Sequence, residues 1–284
     1  MAAINLRKRL ENGKLLCAMG VYNALTAKLA EETGAECLYM TGYGVSACNH
    51  AYPDIGLVTM TEMVEVAKRV TDRVSIPLIA DADTGYGNSI NIIRTVKEYE
   101  RAGVQAIQIE DQIWPKRCGH MAGKAVIPAD EMRAKIHAAV DARQSEDTLI
   151  IARTDLLALE GFDAAVEMGN RFAEWGADIV FVEAPVDADQ VKKIPGRVNA
   201  KTLINIAPKT PNFSADEIEE MGYSVAIYPG VTLIATYVAC VEALQQFKKT
   251  GRQENLSYWA ENFDAMNDLL GLSKFRELEA KYKG

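Results

Sequence analysis

Hydrophobic residues along the chain fall into two alternating patterns. Eight short, nearly continuous apolar runs rich in Ile, Val and Leu occupy 15–21, 37–41, 77–82, 106–110, 149–154, 179–184, 202–206 and 225–229. Runs of this length and density suit strands of a parallel sheet buried on both faces. Between them lie amphipathic stretches at 24–33, 60–69, 89–102, 129–144, 162–175 and 214–221, where apolar residues recur at helical spacing. Thr59 with Glu62 and Ser214 with Glu217 read as capping boxes. Gly34, Gly103, Gly176 and Gly222 follow the helical stretches as stops. A phrase recurs at the passage from helix to strand: Thr33-Gly34-Ala35, Ala102-Gly103-Val104 and Trp175-Gly176-Ala177.

Eight such βα units in one chain predict an α/β fold, a single (β/α)₈ TIM-type barrel over residues 1–232. Two doubly wound domains would need a linker, and no Gly/Ser/Pro-rich stretch supplies one. Beyond the barrel, 233–249 and 258–282 read as helices. The second exceeds what a barrel needs and carries Phe263, Met266, Leu269, Leu270 and Phe275. Residues 233–284 are therefore expected to be C-terminal helices of the same domain that make an oligomer contact.

Charge narrows the partners. The 284 residues carry a formal net charge of −8, which argues against nucleic acid. Local cations or a metal still permit an anionic substrate in a cleft. No apolar run approaches the roughly 20 residues that span a bilayer. Residues 1–14 lack a signal-peptide core, so the expected place is the cytosol or the cytosol-like interior of an organelle. The five cysteines, Cys17, Cys37, Cys48, Cys118 and Cys240, are scattered and form no CxxC, so neither a disulfide framework nor a zinc site is expected. Cys17 and Cys37 sit in apolar runs as small core residues.

Catalytic groups of such barrels gather at the C-terminal ends of strands. Here those ends read Thr41-Gly42-Tyr43-Gly44-Val45-Ser46, Asp81-Ala82-Asp83-Thr84-Gly85, Glu110-Asp111, Arg153-Thr154-Asp155, Glu183-Ala184-Pro185 and Asn205. Asp81 and Asp83, two apart, would point the same way along a strand. Acids crowded at one mouth repel one another unless a cation joins them, and oxygen donors favour Mg²⁺ or Mn²⁺ over zinc. Taken singly, an acid reads as a helix cap or an ion-pair partner; the cluster at successive strand ends reads as a metal site. The glycines of Asp83–Gly87 fit either a ligand-approach turn or a plain one. Arg153 suits a substrate carboxylate, a salt bridge to Glu183 or Asp155, or both. Tyr43 and Ser46, with backbone N–H groups nearby, suit further anionic oxygens. The segment 114–124 has cations, two glycines and no apolar period, as a closing loop would. Within it Cys118 lies between Arg117 and Gly119, with His120 adjacent. By spacing alone it is either a reactive thiol or an incidental one.

The segment Lys116-Arg117-Cys118-Gly119-His120, with Asp81-Ala82-Asp83-Thr84-Gly85, Glu110-Asp111-Gln112, Ala152-Arg153-Thr154-Asp155 and Val182-Glu183-Ala184-Pro185, resembles the isocitrate lyase / phosphoenolpyruvate mutase superfamily. The likeness runs from about Leu15 to Pro229 and is to its short lyases, the 2-methylisocitrate, 2,3-dimethylmalate and petal-death types. The mutase and phosphonopyruvate hydrolase branches lack the Cys-Gly-His. The resemblance implies a Mg²⁺ ion (Mn²⁺ as the alternative), bound directly by Asp81 and through water by Asp54, Asp83 and Glu110. It implies carboxylate binding by Tyr43, Gly44, Ser46 and Arg153, with Gly119, Glu183 and Asn205 completing the substrate site. The implied reaction is retro-aldol cleavage of a di- or tricarboxylate 2-hydroxy acid to an α-keto acid and a carboxylic acid. Tyr43 or a metal-bound water would take the hydroxyl proton. Arg153 and loop cations such as Lys116 would stabilise the enolate, and Cys118 would protonate it. His120 and Glu183 would orient the loop. The family also implies a C-terminal helix exchanged between subunits, usually in tetramers.

One departure bears on substrate. After Asn205 the chain reads Ile206-Ala207-Pro208-Lys209-Thr210-Pro211, where such lyases carry an acidic residue near Ala207. An apolar change there suggests a methylated malate, with methylisocitrate close behind. Oxaloacetate hydrolysis and a catalytically silent metabolite-binding barrel are the competing readings.

Overall fold

All eight apolar runs become strands, and they close on one another in sequence order. The computed structural model describes residues 4–283 except 120, 254 and 255. The strands are β1 (Leu16–Val21), β2 (Cys37–Met40), β3 (Leu78–Asp81), β4 (Ala106–Glu110), β5 (Leu149–Thr154), β6 (Ile179–Val182), β7 (Lys201–Asn205) and β8 (Val225–Tyr228). Every pairing is parallel, and the seam joins Leu16 to Val225 through Met19 to Tyr228. The helices are α1 (Leu6–Glu11), α2 (Ala24–Glu32), α3 (Gly42–His50), α4 (Met60–Thr71), α5 (Ser89–Arg101), α6 (Ala129–Ala142), α7 (Leu157–Glu160), α8 (Phe162–Glu174), α9 (Ala188–Arg197), α10 (Ala215–Glu220), α11 (Val231–Thr250), α12 (Leu256–Leu269) and α13 (Leu272–Tyr282).

The caps read from sequence form. Thr59 and Glu62 close a reciprocal box on α4, and Ser214 and Glu217 do so on α10. Asn23 with Thr26 and Asn88 with Asn91 make two more boxes that the sequence reading passed over, because both use an amide as the cap. Four helices were also missed. α1 and α7 are only six and four residues long. α3 begins Gly-Tyr-Gly, which reads as a turn, yet Thr41 caps it by accepting from the Gly44 N–H. α9 contains Pro195, which reads as a breaker. The expected single helix over 258–282 is two, separated at Gly271 with φ 82°.

Side chains alternate across each strand, so the barrel has an inner and an outer set. The outer set, Ile150, Ala152, Val180 and Val182 among them, packs under the helices in one continuous cluster. The inner set includes Leu16, Cys37, Ile79, Ala106, Leu149, Ile151, Ile179, Phe181, Leu203 and Val225. Helix α1 plugs the barrel base with Leu6 and Leu10, 0% and 3% exposed. Each such leucine contributes about 1.5–3 kcal/mol by leaving water. The C-terminal helices differ. Leu233 alone is buried in α11, α13 buries nothing, and Leu244, Phe247, Trp259, Phe263, Met266 and Phe275 stand exposed. No helix among the described residues is long and apolar enough to cross a membrane.

Candidate active site

Following the inner positions upward turns the core into a site. On β5 the inward residues are Leu149, Ile151 and then Arg153; on β6, Ile179 and Phe181, with Glu183 next. On β3, Ile79 is followed by Asp81, and on β4, Ala106 by Gln108 and Glu110. The period that builds the apolar base thus delivers charge to the mouth. Asp54, Asp81, Asp83, Glu110, Lys116, Arg153, Glu183 and Asn205 are all buried there.

The acids are held in two groups. Asp81 ends β3 and accepts from the Asp83 N–H at 3.0 Å and from Gln108 Nε2 at 3.4 Å. Asp83 is beyond the strand, with φ 47°, so a turn rather than strand alternation places it beside Asp81. Lys116 reaches in from the 114–124 loop to Asp54 Oδ1 at 2.5 Å and Asp83 Oδ1 at 2.8 Å. Burial pushes the Asp83 carboxyl up to about 7; Lys116 opposes this, while Asp81 and Asp54 add to it. Burial works against the Lys116 charge, but Asp83, Asp54 and Asp81 outweigh it and hold the ammonium well above its usual range. Lys116, expected as a loop cation near the leaving fragment, is therefore seated among the acids.

The second group surrounds Arg153. Its guanidinium meets Asp155 at 3.0 and 3.1 Å, Glu110 Oε2 at 3.3 Å and Glu183 Oε1 at 3.9 Å. It also lies over the Phe181 ring, 5.4 Å from the centroid. Asp155 supplies the paired contact and Glu183 the longer one, so both salt bridges foreseen for Arg153 occur. Burial drives the Glu110 carboxyl well above its ordinary range against the pull of Arg153 and Lys116. Glu110 Oε1 is buried without a protein hydrogen-bond partner.

Above these groups opens a cavity of about 520 Å³. One side is polar: Tyr39, Thr41, Tyr43, Asp54, Asp81, Lys116, Cys118, Gly119, Arg153, Glu183 and Asn205. The segments after β7 and β8 add Ile206, Ala207, Pro208, Pro229, Leu233 and Ile234, with Thr210 and Asn212 among them. Cys118 is held at the polar side by its N–H, which donates to the Asp54 carbonyl at 3.1 Å. Gly119 passes so close to Glu183 and Arg153 that a Cβ would overlap Glu183 Oε1 and come within 2.5 Å of Arg153 Nη2. Asn205 Oδ1 is buried with no protein partner.

Two expected carboxylate binders do not line the cavity. The Ser46 hydroxyl donates to the carbonyls of Tyr52 and Pro53 at 3.1 and 3.2 Å, because helix α3 turns it away. Gly44 packs against Thr41 and Tyr22. Thr41 and Tyr39, which the sequence reading did not single out, do line it; as the strand-end residues two apart, they follow the same inward period. His120 lies outside the described residues.

A cation fits the acid group. The donors are all carboxylate oxygens, as Mg²⁺ and Mn²⁺ prefer. Asp81 Oδ2 faces Gly42, where a Cβ would intrude to 2.6 Å, so that position keeps space beside the carboxylate. Among the described residues no three His, Cys, Asp or Glu side chains converge tightly enough to form a closed ion cage by themselves. The set suits an ion that keeps water or substrate oxygens in its shell.

Known proteins share this layout. The sequence profile of phosphoenolpyruvate phosphomutase matches residues 6–248. The chain is 42% identical to 2,3-dimethylmalate lyase of Eubacterium barkeri, covering 99% of this chain and 98% of that one. The chain belongs to the phosphoenolpyruvate mutase / isocitrate lyase superfamily. Within it, 2-methylisocitrate lyase of Aeropyrum pernix is 41% identical over 97% of this chain and 89% of its own. The crystal structure of a 2,3-dimethylmalate lyase superposes with a TM-score of 0.92 at 35% identity, over 100% of this chain and 96% of that one. Oxaloacetate acetylhydrolase with 3,3-difluorooxalacetate reaches 0.92 at 32% identity, over 99% and 96%. Phosphonopyruvate hydrolase in complex with oxalate and Mg²⁺ reaches 0.88 at 31% identity, over 98% of both chains.

Proposed function

We propose that the protein is a metal-dependent carbon–carbon lyase that cleaves a substituted malate to an α-keto acid, such as pyruvate, and a carboxylic acid. The observation that carries this reading is that Cys118 borders the same cavity as Asp81 and Arg153. Asp81, with Asp54, Asp83 and Glu110, would hold Mg²⁺ or Mn²⁺. Such an ion would lower the pKa of the substrate's hydroxyl.

The chain's own groups divide the remaining work. Tyr43, on the cavity rim, takes the hydroxyl proton. The C2–C3 bond then breaks, leaving a carbonyl at C2 and the electron pair on C3 as a carboxylate enolate. Arg153 stabilises that charge in a site shielded from water. The Cys118 thiol protonates C3, and proton return from Tyr43 restores the thiol. Thr41, Glu183 and Asn205 orient the substrate, and the fit of Gly119 against Glu183 keeps water from reaching the enolate.

The apolar wall of Ile206, Ala207, Pro208, Leu233 and Ile234 favours alkyl groups on the leaving fragment, so 2,3-dimethylmalate is the preferred substrate and 2-methylisocitrate the second. The exposed apolar residues of α11 to α13 support packing on further copies of the chain, as a tetramer with exchanged C-terminal helices. Chemistry on a small carboxylate and the lack of any membrane-crossing helix among the described residues support a cytosolic location.

The test is direct. The purified protein is incubated with Mg²⁺ and isocitrate, 2-methylisocitrate, 2,3-dimethylmalate, 2-alkylmalates or oxaloacetate, and keto-acid release is followed. Pyruvate should form fastest from 2,3-dimethylmalate, and chelation should abolish it. Oxaloacetate turnover without pyruvate from either methylated acid would replace the lyase with a hydrolase. Turnover that survives thorough chelation would remove the metal.

A further inference from the structure

The loop that brings Cys118 to the cavity is tied down at both limbs. The Gln112 side chain accepts from the Arg117 N–H at 3.0 Å and donates to the Arg117 carbonyl at 2.8 Å. The return limb pairs through the Ile113 N–H to the Ala125 carbonyl and the Ile127 N–H to the Asp111 carbonyl, both 2.8 Å. These ties fix the base of the loop. The tip at Gly119 is held by another group. The Lys124 ammonium donates to the Gly119 carbonyl at 2.6 Å and to Asp155 Oδ1 at 2.6 Å. Its side chain is 4% exposed and that of Asp155 is 0%. The same Asp155 carboxylate braces Arg153 through Nε and Nη2. One buried cation thus joins the loop tip to the carboxylate that aims the guanidinium.

We propose that Lys124 is a positioning residue: it latches the Cys118 loop over the cavity and, through Asp155, sets Arg153 in the same act. Acid and carboxylate clamp then reach their working places together rather than independently. Its purpose rests on the lyase reading; the latch itself is a property of the loop. Lys116 and Lys124, alike in sequence as loop cations, have separate duties, one among the acids and one at the tip.

The experiment compares wild type with Lys124→Met and Lys124→Arg, full length, with and without Mg²⁺ and pyruvate. Iodoacetamide labelling is resolved by mass spectrometry at Cys118, hydrogen exchange is followed across 116–124, and kcat and KM are measured on the best substrate. In Lys124→Met, Cys118 should label roughly ten-fold faster, as expected for loss of one charge-assisted hydrogen bond. Exchange at the loop tip should rise, and kcat should fall by about 100-fold, as for a misplaced reacting group. Lys124→Arg should recover most of each change, and labelling of exposed Cys48 should not vary. Cys118 labelling and loop exchange at wild-type rates in Lys124→Met would overturn the latch, as would an arginine variant as open as the methionine one. If Lys124→Met does not fold, Lys124→Gln against Lys124→Arg makes the same test. Labelling and exchange need no turnover, so a wild type inert on every substrate would sink the lyase reading while leaving the latch to stand or fall alone.

Discussion

Leu149 and Arg153 point into the same barrel from the same strand and meet opposite surroundings. They are separated by about 13 Å of strand rise. At the base, Leu149 shares one apolar cluster with Ile179, Val225 and the α1 plug of Leu6 and Leu10. At the mouth, Arg153 meets Asp155, Glu110 and Glu183. Burying ions costs several kcal/mol each before pairing returns part of it. The base and the outer layer hold the fold, which lets the mouth keep groups that a core would reject.

The sharpest way to break this division is Cys118→Ala. Turnover should fall by about 10²–10⁴-fold, the usual worth of a positioned acid, while the melting temperature and Mg²⁺–pyruvate binding stay at wild-type values. Steady-state kinetics and calorimetry check both halves, and unchanged turnover removes Cys118 from the chemistry. The reciprocal change is Leu6→Ala at the base. It should cost about 2–5 kcal/mol in urea unfolding, as buried leucine truncations do, with kcat/KM per folded molecule unaltered. A parallel loss of kcat/KM would mean that the two ends are not separable. The smallest effect concerns Cys37. Burial pushes its thiol up to about 12. A raised pKa keeps the reactive thiolate scarce until pH climbs toward that value, so Cys37 should stay unlabelled in the folded protein near pH 8 while exposed Cys48 labels. Labelling of Cys37 there would reveal an opening base.

How far the sequence carried this picture depends on the distance a signal travels. Eight apolar runs and their period were enough for the barrel, since each strand declares itself locally. Charged residues at the ends of those runs marked the mouth. Contacts across the fold left no local trace: Lys124 and Asp155 are 31 residues apart, and nothing in their spacing joins them. Gly42 and Gly44 disguised helix α3 as a turn, so the sequence carried no sign that the Ser46 hydroxyl is spent on the Tyr52 and Pro53 carbonyls. Thr41 and Tyr39 were passed over because a hydroxyl at a strand end attracts less notice than an acid, although the same inward alternation selects them. The apolar tail was legible, but its single long helix was not, because Gly271 interrupts a pattern that otherwise continues.

The seam between β1 and β8 carries a consequence for how the molecule comes into being. Residues 16–19 pair with residues 225–228, so the ring closes only after the last strand has left the ribosome. Until then the inward acids of β3 and β4 line an open curved sheet rather than a cavity. Contacts so distant in sequence form late and slowly, and a partly wound sheet is prone to association. A barrel of seven strands would hold most of the residues named above and none of the enclosure that makes them a site, so activity should appear in one step with closure rather than grow strand by strand.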